Sequence, residues 1–406
     1  MQSNTPNNIH YVSLPLSKSV LNRVAIIKAL CGDFDSFTHS DSCEDINNLV
    51  SALQKSMQPH SDKNKKCVIN VGNSGTAMRF LTANLSMKEG EYVLTGSKRI
   101  KERPVLPLVE ALRELGATIE YAEHEGFFPL HITGKQLEGG NVKIRSDVSS
   151  QFVSALLLIA PYMKNGLKLQ LSGSPVSEPY ISMTIELMKR YGISVKQHAM
   201  QIEIKSSHYI NTDLYIEADW TAASYFYELL SISKNGEINI SGLLLNSIQG
   251  DAMQVQLWEK LGVSSKSTDA GVVLFKNNSQ TKKLEYNFIQ MPDLVQTFAV
   301  ACCLKGIIFS FSGVSTLRTK ETDRIHALIT ELGKLGFQLT YSNDSISWQG
   351  ERSPIKSTTI ETHGDHRMAM AFAPAKILIP DLKITNPKVV EKSFPDFWNQ
   401  LNACII

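Results

Sequence analysis

The sequence predicts an α/β chain built from repeats of about 70 residues and divided into two lobes. Three observations predict it. An amphipathic helix, a glycine and two short alternating segments around a turn recur four times, with Gly116, Gly192, Gly262 and Gly336 spaced 76, 70 and 74 residues apart. Between the copies lie stretches such as SSQFVSALLLIAPYM and DLVQTFAVACCLKG, apolar nearly all round and therefore buried helices. A chain of 406 residues holds nearly six such units, which suggests three in each lobe.

The copies justify the elements in order. The first reads VEALRELGATIEYAEHEGFFPLHIT, and Val105, Leu108, Val109, Leu112 and Leu115 form one apolar helical stripe. The others are IELMKRYGISVKQHAMQIEIK, VQLWEKLGVSSKSTDAGVVLFK and ITELGKLGFQLTYSNDSISWQG. Each glycine stands where a helix stops on a residue that tolerates φ > 0. The residues after it alternate apolar and polar, as half-buried strands do. HSDKNKKC (60–67) and KNNSQTKK (276–283) read as polar loops.

Composition narrows the function. Hydrophobic residues make up 43% of the chain, enough for a sizeable core. Lys and Arg number 41 against 39 Asp and Glu, which argues against a polybasic nucleic-acid binder but leaves room for local basic pockets. The six cysteines form no C-x-x-C pair and no His-partnered spacing, so reduced thiols are expected rather than a disulfide scaffold or zinc site. The opening MQSNTPNNIHYVSLP is polar, with no secretory signal. Val153–Met163 and Ala369–Pro380 fall short of the roughly 20 residues that span a bilayer. A soluble, cytoplasmic chain is expected.

Eight segments carry the chemistry. In LPLSKSVLNRVAIIKALCG, Ser17 or Ser19 can cap a helix through Ala29, Ser19 and Arg23 share a face, and Lys18 sits at the end that welcomes anions. A capped surface helix is the ordinary alternative. VGNSGTAMRFLTANL is a strand, a small-residue turn and a helix; Gly75 permits close approach, and the first-turn N–H groups can hold an anion. It lacks the Gly-Lys-Ser/Thr of a Walker loop. GSKRIKERPVLPLVEALRELG gathers Lys98, Arg99, Lys101 and Arg103 ahead of a helix, with Pro104 in its first turn. Cations there oppose the macrodipole, so a bound anion or Glu102 must compensate.

Ser149, Ser150 and Gln151 open a buried helix, where they suit either capping or a phosphate or polyol. In LRTKETDRIHALITELGKLG, Lys320 and Arg324 are a like-charge i,i+4 pair with Glu321 and Asp323 among them. His366 and Arg367 enter a small apolar helix in THGDHRMAMAFAPAKI, and a cation there needs a partner. Asp293 opens another apolar helix and reads by itself as an N-cap; VVEKSFPDFWNQL brings Lys392.

Taken in order, SKSVLNR, GNSGTAMR, KERP, SSQF, SALL, PYI, KETDR and DHRMAM resemble the enolpyruvyl transferases over nearly the whole chain. KETDR and DHRMAM together are specific. The sister branch acting on UDP-N-acetylglucosamine lacks SKS, KETDR and DHRMAM in these forms, which favours the branch acting on shikimate 3-phosphate. The resemblance implies a two-lobed α/β (α+β) fold, each lobe three βαβαββ units in pseudo-threefold symmetry. It implies an N-terminal lobe over 17–217, a discontinuous C-terminal lobe over 1–16 and 218–406, crossings near Leu16 and Glu217–Asp219, and an active site in the cleft between the lobes.

The implied reaction transfers the enolpyruvyl group of phosphoenolpyruvate to the 5-hydroxyl of shikimate 3-phosphate and releases phosphate. Similarity would place Lys18, Ser19, Arg23, Ser149, Ser150, Gln151, Ser177, Tyr180, Asp293 and Lys320 around shikimate 3-phosphate. Lys18, Gly75, Arg103, Gln151, Arg324, Arg367 and Lys392 would hold phosphoenolpyruvate. Asp293 would be the base and Glu321 the acid, with Lys18 assisting. The chain departs from the common pattern at Leu16, Phe80, Ser182, Thr316 and Trp220, none of which removes a charged catalytic group. Two small anionic substrates, no metal, no cofactor, no nucleic acid or membrane partner, and a monomer are expected. Competing readings are an enolpyruvyl transferase with another acceptor and a catalytically dead scaffold.

Overall fold

Four four-stranded sheets share one strand order, and the repeat in the sequence is the reason. The computed structural model describes residues 9–34, 37, 43–58, 66–173 and 176–405. The polar opening up to residue 8 and most of the 60–67 loop lie outside the described residues. Gly116, Gly192, Gly262 and Gly336 all have positive φ, between 85° and 101°, so each helix of the repeat does stop on a left-handed glycine.

The chain begins with β1 (Ile9–Ser13), then α1 (Lys18–Cys31) and α2 (Glu44–Met57). The first complete repeat follows: β2 (Cys67–Asn70), α3 (Gly75–Met87), β3 (Gly90–Thr95), the short α4 (Lys98–Lys101), α5 (Leu106–Glu114), β4 (Thr118–Tyr121) and β5 (Leu130–Gly134). Its sheet runs β2-β3-β5-β4, with β2 parallel to β3 and the other neighbours antiparallel. The second repeat is β6 (Gly140–Arg145), α6 (Ser150–Ile159), β7 (Leu167–Ser172), α7 (Glu178–Arg190), β8 (Val195–His198) and β9 (Gln201–Ile204), with the corresponding order β6-β7-β9-β8.

The third repeat takes its first strand from the start of the chain. Helix α8 (Trp220–Ile232), β10 (Glu237–Ser241), α9 (Val255–Lys260), β11 (Val263–Ser267) and β12 (Gly271–Lys276) complete a sheet β1-β10-β12-β11, in which β1 is parallel to β10. The fourth is β13 (Lys283–Asn287), α10 (Val295–Lys305), β14 (Ile308–Ser312), α11 (Arg324–Lys334), β15 (Thr340–Ser342) and β16 (Ser345–Trp348). A shorter unit ends the chain: β17 (Thr359–Ile360), α12 (His366–Phe372), β18 (Lys383–Ile384) and α13 (Phe397–Ile405), with only the parallel strand pair. Helices α1 and α2 carry no strand of their own among the described residues.

Contacts divide the chain into two compact units, Lys18–Ile216 and Met1–Ser17 with Glu217–Ile406. Within the second unit the two crossing segments are tied together. Leu16 bridges Ala218, Ser17 N–H donates to the Glu217 carbonyl at 2.9 Å, and Asp219 N–H to that of Pro15 at 2.9 Å. The Gln249 amide clamps both: Oε1 accepts from Ser17 Oγ at 2.8 Å and Trp220 N–H at 3.1 Å, and Nε2 donates to the Ala218 carbonyl at 2.8 Å.

The core follows the expected pattern. All five residues of the α5 stripe are buried, as is every apolar residue of α6. Helix α10 is buried nearly all round and ends on Gly306 in the left-handed region. Trp258 stacks on Phe298 at 4.2 Å and on Tyr227 at 5.9 Å, joining α8, α9 and α10. Two local expectations need correction. Helix α5 starts at Leu106 with Pro107 in its first turn, so Pro104 precedes it. Lys320 and Arg324 do not share a helix: Lys320 is extended and α11 begins at Arg324, capped by Asp323.

Candidate active site

In the Lys18–Ile216 unit, Arg103 alone of the KRIKERP cations turns inward. Arg99 pairs with Glu102 at 2.9 Å, Lys101 with Glu123 at 2.7 Å, and Lys98 is exposed. Arg103 is 7% exposed, and its Nε and Nη1 have no hydrogen-bond partner among the described residues. Its guanidinium lies against Gly75, the first residue of α3: a Cβ there would stand 2.5 Å from Nη1 and 2.7 Å from Cζ. A buried guanidinium with unused donors beside a helix N-terminus is built for an anion. Gln151 of α6 joins the first turns of α3, accepting from Arg79 Nη1 at 2.5 Å and donating to Thr76 Oγ1 at 3.0 Å.

Arg23 on α1 is buried among neutral acceptors. It donates to Thr184 Oγ1 at 2.7 Å, the Ser19 carbonyl at 2.7 Å, Ser154 Oγ at 3.2 Å and the Tyr180 carbonyl at 3.1 Å. Its guanidinium also sits 5.4 Å from the Phe80 ring and 5.9 Å from that of Tyr180. Burial lowers its pKa to about 10, against a small opposing effect of Tyr180. Lys18 meets an anion as expected of a helix start, the buried Asp45 carboxylate of α2 at 2.8 Å. Ser149 spends its hydroxyl as the cap of α6, accepting from Gln151 N–H at 3.3 Å. Ser150 is buried behind it. Ser177 is buried ahead of α7 in the left-handed region (φ 56°) and makes no capping bond.

The other unit holds a second cluster of charge. Asp293 lies in a short 3-10 turn, and it does not cap α10, whose N-cap is Leu294; this corrects the residue-level reading. Its Oδ1 accepts from Arg324 Nη1 at 2.8 Å and its Oδ2 from Arg367 Nη2 at 2.8 Å, with Lys320 Nζ 3.6 Å from Oδ1. Burial would raise this carboxyl, but Arg367, Lys320 and Arg324 outweigh it and hold Asp293 well below 3.8. The shared carboxylate also answers the like charge of Lys320 and Arg324. Glu321 accepts from Arg324 Nη2 at 2.9 Å and lies 3.9 Å from Lys392 Nζ. Asp365 caps α12 through the Arg367 N–H at 2.8 Å and accepts from Arg324 Nε at 2.7 Å.

Each unit therefore collects its own share of the expected residues: Asp293, Lys320, Glu321, Arg324, Arg367 and Lys392 in one, Gly75, Arg103 and Gln151 around the start of α3 in the other. Sequence reasoning missed Arg79, Asp45, Asp365 and Asp251. Arg79 and Asp365 stand inside the GTAMR and DHRMAM segments and were legible there as charges beside a site. Asp45 carries no motif. Asp251 accepts from Thr221 Oγ1 at 2.5 Å, and burial, with the charges of Asp293 and Asp219 adding to it, pushes it up to about 7 against Thr221 and Arg367.

The family model for EPSP synthase (3-phosphoshikimate 1-carboxyvinyltransferase) matches residues 12–401. A 3-phosphoshikimate 1-carboxyvinyltransferase of Bacteroides fragilis (strain YCH46) is 44% identical over 393 residues, covering 96% of this chain and 94% of the relative. Its counterpart in Vibrio campbellii is 36% identical over 416 residues, covering 97% and 96%. The solved EPSP synthase of Acinetobacter baumannii shares the fold with a TM-score of 0.73 at 21% identity, covering 98% of this chain and 95% of that one.

Proposed function

The chain belongs to the EPSP synthase family, and from that premise we propose which residues carry its reaction. It transfers the enolpyruvyl group of phosphoenolpyruvate to the 5-hydroxyl of shikimate 3-phosphate and releases phosphate, in aromatic amino acid biosynthesis. Arg324 and Arg367 hold the phosphoenolpyruvate carboxylate; Arg103, the Gly75 loop, Gln151, Lys18 and Lys392 hold its phosphate end. Lys18, Ser19, Arg23, Ser149, Ser150, Gln151, Ser177, Tyr180, Asp293 and Lys320 bind shikimate 3-phosphate. Asp293 takes the 5-hydroxyl proton, Glu321 protonates the methylene carbon, and Lys18 assists.

The observation that carries this reading is the double grip of Arg324 and Arg367 on Asp293. Two planar forks aimed at one carboxylate suit the carboxylate of a substrate equally well. When phosphoenolpyruvate takes those donors, Asp293 loses the charges that hold its pKa down and becomes the stronger base that the first step needs. Addition then gives a tetrahedral intermediate, and loss of phosphate restores the enol ether. Exclusion of water protects the activated enolpyruvyl group. The chain works as a cytoplasmic monomer, and its six cysteines are free thiols. Among the described residues no helix is long and apolar enough to cross a membrane. Phosphate release by the purified chain, dependent on both substrates together, tests the assignment; release from phosphoenolpyruvate with other acceptors only would contradict it.

A further inference from the structure

Helix α11 meets the segment leading into α12 at two places. At its first residue, Arg324 Nε donates to Asp365 Oδ2 at 2.7 Å. Two turns later, Glu331 takes hold of the start of the same segment. Residues 324 and 331 are seven apart, so they share a face and stand about 10 Å apart along the axis. Glu331 is completely buried, and its carboxylate meets three donors: His363 Nε2 at 2.8 Å, Lys334 Nζ at 2.7 Å and the backbone N–H of Glu361 at 2.9 Å. Between the two anchors the backbone is left-handed at consecutive residues, His363 (φ 52°) and Gly364 (φ 69°). Glycine adopts that region freely and a histidine does not, so something must hold His363 there.

We propose that Glu331 is a positioning residue for Arg367: its buried carboxylate pins the 361–363 turn to α11 and thereby fixes where the arginine side chain reaches. The turn passes directly to Asp365, whose Oδ1 receives the Arg367 N–H at 2.8 Å, so a displaced turn moves the start of α12. Glu331, Glu361 and His363 bring ligand atoms within 4.8 Å of one another, but the Lys334 ammonium already supplies the positive charge, which argues against a metal role. The inference rests on the reading that Arg367 holds the phosphoenolpyruvate carboxylate.

Steady-state kinetics of Glu331→Gln, His363→Gly and Arg367→Gln, with the Glu331→Gln/Arg367→Gln double variant, test it. His363→Gly removes the pinned ring while relieving the backbone, so it remains informative if Glu331→Gln folds poorly. Both single changes are expected to raise KM for phosphoenolpyruvate about tenfold, with kcat and KM for shikimate 3-phosphate little changed. In the Arg367→Gln background, Glu331→Gln adds nothing further to KM. A raised KM in Arg367→Gln with an unchanged KM in His363→Gly and Glu331→Gln overturns the proposal and leaves the site reading standing. An unchanged KM in Arg367→Gln overturns the site reading and the proposal with it. Equal losses in both KM values and in kcat, with a lowered melting temperature, identify a merely structural residue and also overturn it.

Discussion

Gly75 and Arg103 lie in contact, and the absence of a side chain at one makes room for the guanidinium of the other: a Cβ on residue 75 would stand 2.5 Å from Nη1 and 2.9 Å from Nη2. Gly75 opens α3 in ordinary helical backbone, so the glycine serves the approach of the arginine and not a special φ. Gly75→Ala therefore keeps the fold and displaces Arg103. KM for phosphoenolpyruvate should rise about tenfold or more without loss of thermal stability. An unchanged KM would remove Arg103 from the site.

Phe80 supports Arg23 from 5.4 Å. The ring face compensates a buried cation that has only neutral hydrogen-bond acceptors among the described residues. Phe80→Leu keeps the position apolar and removes that attraction, worth about 0.5–2 kcal/mol. KM for shikimate 3-phosphate should rise about 2- to 30-fold with KM for phosphoenolpyruvate less affected. Equal shifts in both would show that the ring contributes nothing specific to Arg23.

Glu228 is fully buried on α8 with neither carboxylate oxygen hydrogen-bonded among the described residues, and burial raises its pKa well above 4.5. The unfolded chain ionises this group from about pH 4.5 upward while the folded chain keeps it protonated, so the unfolded state binds fewer protons and stability falls as pH rises. Glu228→Met should raise the denaturation midpoint, and more at pH 8 than at pH 5. Leaving the buried oxygens unsatisfied costs about 1–3 kcal/mol, which sets the scale of the gain. A gain equal at both pH values would show that Glu228 titrates alike in both states.

Much of the fold was legible because its signals are local. A glycine that must turn left-handed and strands that alternate in period two announce themselves within twenty residues, and Gly116, Gly192, Gly262 and Gly336 did so. The pairing of β1 with β10 was not legible from pattern, since the whole Lys18–Ile216 unit intervenes. The site divides in the same way. Charge-bearing motifs pointed to Arg103, Arg324 and Arg367, but spacing alone suggested a helix carrying Lys320 and Arg324 together. The structure instead brings both to Asp293, a residue that read locally as a cap. Glu331, which looks like a solvated helix glutamate, is buried by contacts with residues some thirty positions later.

The central claim is that Asp293 holds Arg324 and Arg367 in place of the substrate carboxylate and yields them when substrate arrives. Calorimetric titration of phosphoenolpyruvate into the substrate-free wild-type chain and into Asp293→Asn measures that competition directly. The account predicts tighter binding to Asp293→Asn, because a competing charge has been removed, together with turnover lowered by about 10²–10⁴ because the base is gone. Weaker or equal binding of phosphoenolpyruvate to Asp293→Asn would contradict it.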